Sequence, residues 1–588
     1  MSKMRGIMSA ICGYAGRADP GVIARMLEPV SYRGDHSDTA ITDGAGFGCR
    51  WWVGRPGKTE GVLRHGADLT AVAGSFAPPV ASPAAALVPI LSDPHRLATL
   101  DGNFGACWWD ASRRRLTLLR DPFGVRSLFY VEHAGAFYFA SELKQLLAIP
   151  GLPIEADTVA LHKYLTFSFV PGEDVPVKGI KRLLPGRIAI WAGGRLTITP
   201  YFTLREDIDP TLEDQNASVR LIRERCLDAV TKRLNGETDV GLFLSGGLDS
   251  SGIAVWLKQA GVNVHAFSLD FGRHSHEKAQ AKTVAETLDI PLTFVPVSGE
   301  DVSSILDELV WKLDLPFGDP VTGPQYLLAK AARQAGLSCI FNGEGGDQLF
   351  GGWTSKPMIS AQLYANLYED DTREQLYLKS YHRFYGLEDK LYTTGFASQA
   401  GPPGTRRALL EPYLNSQQAE TFLNRVRLAD ISLKGSQNIL PRMDRTAQCW
   451  GLDVRTPLFD RALAEASFRL PPQMKLHGAC EKYVLKLVLQ KALPHDIVWR
   501  RKFGMGVPIT QWVMGPLARR LDDLLGEAAV AKRSMFRPGY IAQLRAGHDV
   551  ASEIRRRRVG ERLWTLAMLE AWMRVFIDGR GRKPEGVS

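Results

Sequence analysis

Ser245-Gly246-Gly247-Leu248-Asp249-Ser250-Ser251 decides the architecture of this chain. The residues before it, 240–244 (VGLFL), form a short, wholly apolar run of the kind found in buried parallel strands. Those after it, 252–261 (GIAVWLKQAG), carry helical spacing and close on a glycine. Strand, glycine-rich turn and helix in that order aim backbone N–H groups and the positive end of a helix dipole at one point, where an anion can sit. Gly246 and Gly247 permit close backbone approach, Ser245, Ser250 and Ser251 add hydroxyl donors, and Asp249 offers a carboxylate for Mg2+. A turn without a ligand would need only the glycines. No lysine follows them, so this is not a Walker loop, and Gly57-Lys58-Thr59, which lacks an upstream glycine and strand, reads as an ordinary loop.

At 588 residues the chain exceeds a single core, so two or more domains are expected. Its 45% hydrophobic and 23% charged content is that of a globular protein and excludes a disordered one. The net charge of +9 comes with only short basic clusters, Arg113 to Arg115 and Arg555 to Arg558, which read as solvated faces and not as a nucleic-acid surface. Seven scattered cysteines without a CxxC argue for reduced thiols and against a zinc site. His274 and His276 have no ligand-type partners at metal spacing. No apolar run approaches about 18 residues and no signal-peptide core is seen, so no membrane span and a cytoplasmic location are expected.

Residues 1–205 read as an α+β layered domain, with strands at 116–119, 128–132, 136–140 and 187–192 and a helix near 22–27. From 206 to 588 the pattern alternates: strand 240–244, strand 263–269, helix 277–288, strand 291–297, helix 323–335 and strand 338–342. That is the pattern of an α/β doubly wound parallel sheet with its ligand at the carboxyl edge. One strand closes on Phe267-Ser268-Leu269-Asp270 and another on Asn342-Gly343-Glu344-Gly345-Gly346-Asp347-Gln348. Asp347 and Asp249 would supply two carboxylates for Mg2+, and Glu344 could take a proton from an attacking amine. The stretch 352–434 reads as polar and helical, and its tyrosines, Tyr364, Tyr368, Tyr377, Tyr381 and Tyr385, read first as helix packing.

The 245–251 loop resembles the pyrophosphate loop of ATP pyrophosphatases, which cleave ATP between the α and β phosphates. The resemblance widens with Tyr32-Arg33-Gly34-Asp35, Leu100-Asp101-Gly102, Arg120-Asp121-Pro122-Phe123-Gly124-Val125-Arg126, Ser141-Glu142-Leu143-Lys144 and Pro185-Gly186. These are similar to the N-terminal glutaminase domain of asparagine synthetases. Asp444-Arg445, Asp453-Val454-Arg455-Thr456-Pro457, Leu458-Phe459-Asp460, Glu481-Lys482-Tyr483 and Arg500-Arg501-Lys502-Phe503-Gly504 resemble segments of the same family's synthetase domain. The resemblance implies ATP and Mg2+, with the metal on Asp249 and Asp347. It places Lys482 on the phosphates, Ser268 on the adenine side, Gly343 at the nucleotide and Glu344 as base or orienting group.

The sequence departs from that family where glutamine is hydrolysed. The family's nucleophile is a cysteine directly after the initiator Met, with its own α-amine as base. Cys12 can be matched to it, but without cleavage it has no α-amine. A register starting at Met8 puts Ser9 there instead and keeps a family-like distance to Arg33; this is the favoured match. In Ala71-Val72-Ala73-Gly74-Ser75-Phe76, Ala73 and Ser75 replace the Asn and Glu of the glutamine-binding motif, while Arg50 is either the family's carboxylate-binding arginine or a surface arginine. Gly346 and Gln348 depart from the GEGSDE form. The resemblance therefore narrows to members that use an amine already in the substrate. Lasso peptide cyclase is the preferred expectation, ahead of a glutamine- or ammonia-dependent asparagine synthetase and a β-lactam synthetase-like enzyme. The partners implied are a precursor peptide, a leader peptidase and a leader-recognition protein.

Overall fold

The apolar run before the serine-glycine loop is the middle of a five-stranded, all-parallel sheet. Strand Asp239–Phe243 has Asn263–Asp270 and then Leu292–Pro296 on one side, and Cys339–Phe341 and then Asp453–Arg455 on the other. The chain thus leaves the central strand toward one edge and later returns to fill the opposite edge. This reversal opens a crevice at the carboxyl end of Asp239–Phe243, where the loop lies. The helix after the loop spans Leu248–Gln259. It begins four residues earlier than its apolar spacing indicates, because Asp249, Ser250 and Ser251 form its first turn; Ser251 N donates to Gly247 O at 3.0 Å, and the N–H groups of Leu248, Asp249 and Ser250 ahead of it lack intrahelical acceptors.

The computed structural model describes residues 8–52, 61–352, 358–359, 372–500, 506–547 and 553–587. Gly57-Lys58-Thr59, Tyr364, Tyr368 and the 501–504 part of the Arg500 motif lie outside the described residues, as do the side chains of Arg555 and Arg556. Ahead of the parallel sheet stand two six-stranded antiparallel sheets packed face to face. Strand Met8–Gly16 shows why they pack. Its alternate residues Ile11 and Ala15 enter the core between the sheets, and Cys12 and Tyr14 face the helices Val22–Leu27 and Leu143–Leu147 outside. Helix Pro83–Ser92 covers the outer face of the second sheet, so the layers run helix, sheet, sheet, helix.

The expected tyrosine-bearing helical stretch is broken, among the described residues, into short helices such as Arg373–Lys379, Glu388–Leu391 and Thr394–Gln399. Tyr377 is buried, with its hydroxyl donating to Asp430 Oδ1 at 2.6 Å, which fits the packing role. No helix among the described residues is long and apolar enough to cross a membrane. The two halves meet through buried polar contacts. Asn103 Nδ2 donates to Val454 O on the edge strand of the parallel sheet (3.4 Å), and Asp314 accepts from the N–H groups of Leu143 and Lys144.

Candidate functional site

The 245–251 loop is braced by its own hydroxyls. Ser250 Oγ accepts from Ser245 N and donates to Gly247 O, both at 3.2 Å, and Ser245 Oγ accepts from Gly247 N at 3.2 Å. Ser245 and Ser250 therefore shape the turn as well as facing it. Ser251 Oγ and Asp249 Oδ1 are buried without a hydrogen-bond partner. Gly246 takes φ +74°, where a Cβ would meet the backbone at Gln280 and Ala281, so only glycine lets the loop lie on that helix. Ser268 is buried on the neighbouring strand, paired in register with Phe294, and Leu248 opens the helix.

The second loop closes on the first through its glycines. A Cβ at Gly343 would land on the Ser250 backbone, and one at Gly346 would land on the Asp249 carboxylate. Gly352 stands in the same relation to the carboxylate of Asp347. Gly346, a departure from the family form, thus keeps Asp249 in place. Between the two acids sits Lys482, whose Nζ contacts Asp249 Oδ2 and lies 2.7 Å from Asp347 Oδ1. Burial works against this ammonium, but the two carboxylates outweigh it and raise its pKa above the ordinary lysine value. Glu344 is half-buried in the turn, its N–H donating to Asn342 Oδ1 at 2.9 Å. Burial raises its carboxyl pKa, opposed by Arg442 and reinforced by Asp347, Asp319 and Asp249. Among the described residues no three His, Cys, Asp or Glu side chains gather as a metal site. The Asp249–Asp347 pair, with one orphaned oxygen and a cradle that a Cβ would fill, nevertheless suits a divalent ion that takes its other ligands from phosphates and water.

Two arginines at this site were not foreseen as site residues. Arg500 Nη2 donates to Gly246 O (3.0 Å) and Glu277 Oε1 (3.3 Å), holding that carbonyl away from the loop's anion side. Arg442 is buried and donates to Asp319 Oδ2 (2.7 Å) and Gln325 Oε1 (3.0 Å) beside Glu344. Arg500 stood in a motif that could have signalled it. Arg442 sits in no family-like motif, and its contacts beside Glu344, Asp319 and Gln325, lie more than 100 residues away.

The residues matched to a glutaminase divide. Ser9 and Ala73 line one narrow, partly open space together with Arg33, Arg126, Asp444 and Arg445; its free volume is about 10 Å3, room for one water. The Gln448 amide directs its nitrogen to Ser9 Oγ (3.1 Å), since this turns its oxygen to both terminal nitrogens of Arg126 (2.7 Å each). Arg33 pairs with Glu142 (3.2 Å), and Arg126 with Asp444 (2.8 Å). Cys12 is elsewhere, fully buried in mid-strand between Gly48 and Ala140, and burial, then Cys49, push its thiol well above the ordinary range. A thiol so placed is an inert core residue. Arg50 does not line the space; it donates to Leu27 O (2.9 Å) and Gly34 O (3.2 Å). Ser75 pairs in register with Asn103 and is likewise outside it.

Comparison with known proteins follows this division. The asparagine synthase family profile matches residues 221–574, and a glutamine amidotransferase domain profile matches 92–202. Asparagine synthetase 1 of Bacillus subtilis (strain 168), named as glutamine-hydrolysing, is 26% identical over 509 residues, covering 82% of this chain and 78% of that protein. Asparagine synthetase 3 of the same organism is 28% identical over 432 residues, covering 68% and 67%. Amidase chyE of Penicillium rubens is 25% identical over 499 residues, covering 73% of each. With its parallel sheet, phosphate-type loop and layered N-terminal half in place, the chain belongs to the asparagine synthase family of ATP-dependent amide-forming ligases.

Proposed function

We propose that this ligase is a lasso peptide cyclase, joining an Asp or Glu side chain of a precursor peptide to that peptide's own α-amine. In the first step a carboxylate oxygen of the peptide bonds to the α-phosphorus of ATP, and the bond to the bridging oxygen of the β-phosphate breaks. Pyrophosphate leaves. In the second step the amine nitrogen bonds to the acyl carbon, gives up a proton, and AMP leaves with the carboxylate oxygen.

The residues take these roles in the proposal. The N–H groups of the 245–251 loop and the Leu248–Gln259 helix bind the phosphates. Arg500 fixes the loop's shape through Gly246 O. Asp249 and Asp347 would hold Mg2+, which neutralises phosphate charge when bound. Lys482 adds a positive charge where the leaving pyrophosphate develops its negative one. Glu344, whose carboxyl pKa burial raises, accepts the proton of the amine.

The observation that carries the reading is the space at Ser9. It has room for about one water and none for a glutamine, and the Ser9 hydroxyl is engaged by Gln448. Ammonia from glutamine is thus not the nitrogen source in this reading, and an amine carried by the substrate takes its place. A second reading, asparagine formation from free ammonia, draws on the names of the Bacillus relatives.

The test uses peptides with a free N-terminus and one Asp or Glu whose carboxylate carries 18O. One labelled oxygen should emerge in AMP for each peptide that loses water. AMP without label, or turnover with aspartate and ammonium alone, would count against the cyclase.

A further inference from the structure

The Asp249–Asp347 pair holds a cation that belongs to the chain itself. Lys482, 3% exposed, contacts both carboxylates. Its backbone lies at φ +54°, in the left-handed region that residues with a Cβ avoid, at the N-cap of helix Tyr483–Leu489. The fold accepts that cost and delivers the ammonium between the acids. One oxygen, Asp249 Oδ1, is nevertheless buried without a partner, in a place that the missing side chain of Gly346 keeps clear. The pair therefore has a filled side toward Lys482 and an unsatisfied acceptor beside it.

We propose that Lys482 is the resident counter-ion of this pair whenever phosphates are not there to compete for it. Nucleotide arriving with its divalent ion then exchanges the ammonium, which passes from the carboxylates to the phosphates. The inference rests on the reading of the 245–251 loop as a nucleotide site. One ammonium halves the negative charge of the two acids and so weakens their hold on a free divalent ion; metal alone therefore binds weakly, and metal with nucleotide is admitted. Lysine suits the exchange: it is a point charge on a flexible four-carbon stem, whereas an arginine would hold a carboxylate through a two-pronged fork.

The experiment measures Mn2+ binding to the full-length protein from the signal of free Mn2+, alone and with α,β-methylene ATP, which resists cleavage at the α–β position. Binding of the ion to the analogue in buffer is subtracted. Wild type should bind Mn2+ at least about tenfold tighter with the analogue than without it. Lys482→Met should bind Mn2+ alone at least about tenfold tighter than wild type does, and adding Asp249→Asn should abolish that gain. Equal Mn2+ affinity of wild type with and without the analogue would overturn the exchange. So would a folded Lys482→Met that binds the bare ion no better than wild type. Should that variant fail to fold, the wild-type comparison decides. If calorimetry finds no binding of the analogue with Mn2+ or Mg2+, the nucleotide-site reading itself falls.

Discussion

Replacing Asp314 by Asn should loosen the junction between the two halves far more than its single-atom change suggests. Asp314 is fully buried, and one carboxylate oxygen accepts from Leu143 N while the other accepts from Lys144 N at 2.8 Å. The same two oxygens pair with Lys144 Nζ (3.2 Å) and Arg445 Nη1 (3.1 Å). Asn fits the space and tolerates the φ of +69° at this position, so backbone strain is not added. It can keep only one acceptor, however, and its NH2 group must then face a backbone N–H. Removing one partner of a buried ion cluster costs about 3–5 kcal/mol, and leaving a buried donor unpaired costs about 1–3 kcal/mol by itself. Because the two estimates overlap, the expected loss is about 3–5 kcal/mol in all, a large share of the roughly 5–15 kcal/mol that holds a typical native protein. Urea unfolding followed by tryptophan fluorescence reports on it, since Trp572 Nε1 donates to Asp314 O at 3.1 Å. An early transition is expected as the halves part. Asp19→Asn, at the exposed Asp19–Arg25 pair, should shift nothing measurable. A loss below about 1 kcal/mol for Asp314→Asn would refute the view that buried charge ties the halves together.

Lys482→Met should lower AMP formation by about 10^2–10^3-fold, the usual cost of losing one group that stabilises developing charge, with circular dichroism unchanged. Gly346→Ala should push the Asp249 carboxylate aside and depress turnover with little change in melting temperature, read from steady-state kinetics beside a thermal melt. Ser9→Cys should release no glutamate from glutamine, because the space at Ser9 stays too small; measurable glutaminase activity would contradict that. Glu344 has its folded pKa raised above the 4.5 of a free glutamate, so its burial costs nothing below the unfolded value and progressively destabilises the fold as pH rises through the folded value. Glu344→Gln should therefore melt higher than wild type at pH 8 but not at pH 4, while losing the acidic limb of the rate profile.

Much of the fold was legible because its signals are local. Strand 136–140 and helix 22–27 coincide with Ala136–Ala140 and Val22–Leu27, each marked by neighbours in sequence. The loop at 245–251 and the Asp347 turn were legible for the same reason. Lys482 was reached through family resemblance, since nothing local reveals that it would settle between acids 233 and 135 residues away. The Ser9–Gln448 contact spans 439 residues and Arg442–Asp319 spans 123, and both depend on how the halves dock. Arg50 illustrates the limit: a lone arginine in a strand gives no sign of whether it meets a substrate carboxylate or, as here, two backbone carbonyls.

The most direct test of the account follows ATP, AMP and product mass together in the purified protein. It is supplied in turn with aspartate plus ammonium, aspartate plus glutamine, and peptides bearing a free α-amine and a nearby Asp or Glu. The account predicts one AMP and one pyrophosphate for each peptide that becomes lighter by one water, with no asparagine and no glutamate formed. Asparagine accompanied by AMP, with peptides left unchanged, would contradict it and return the chain to ordinary asparagine synthesis.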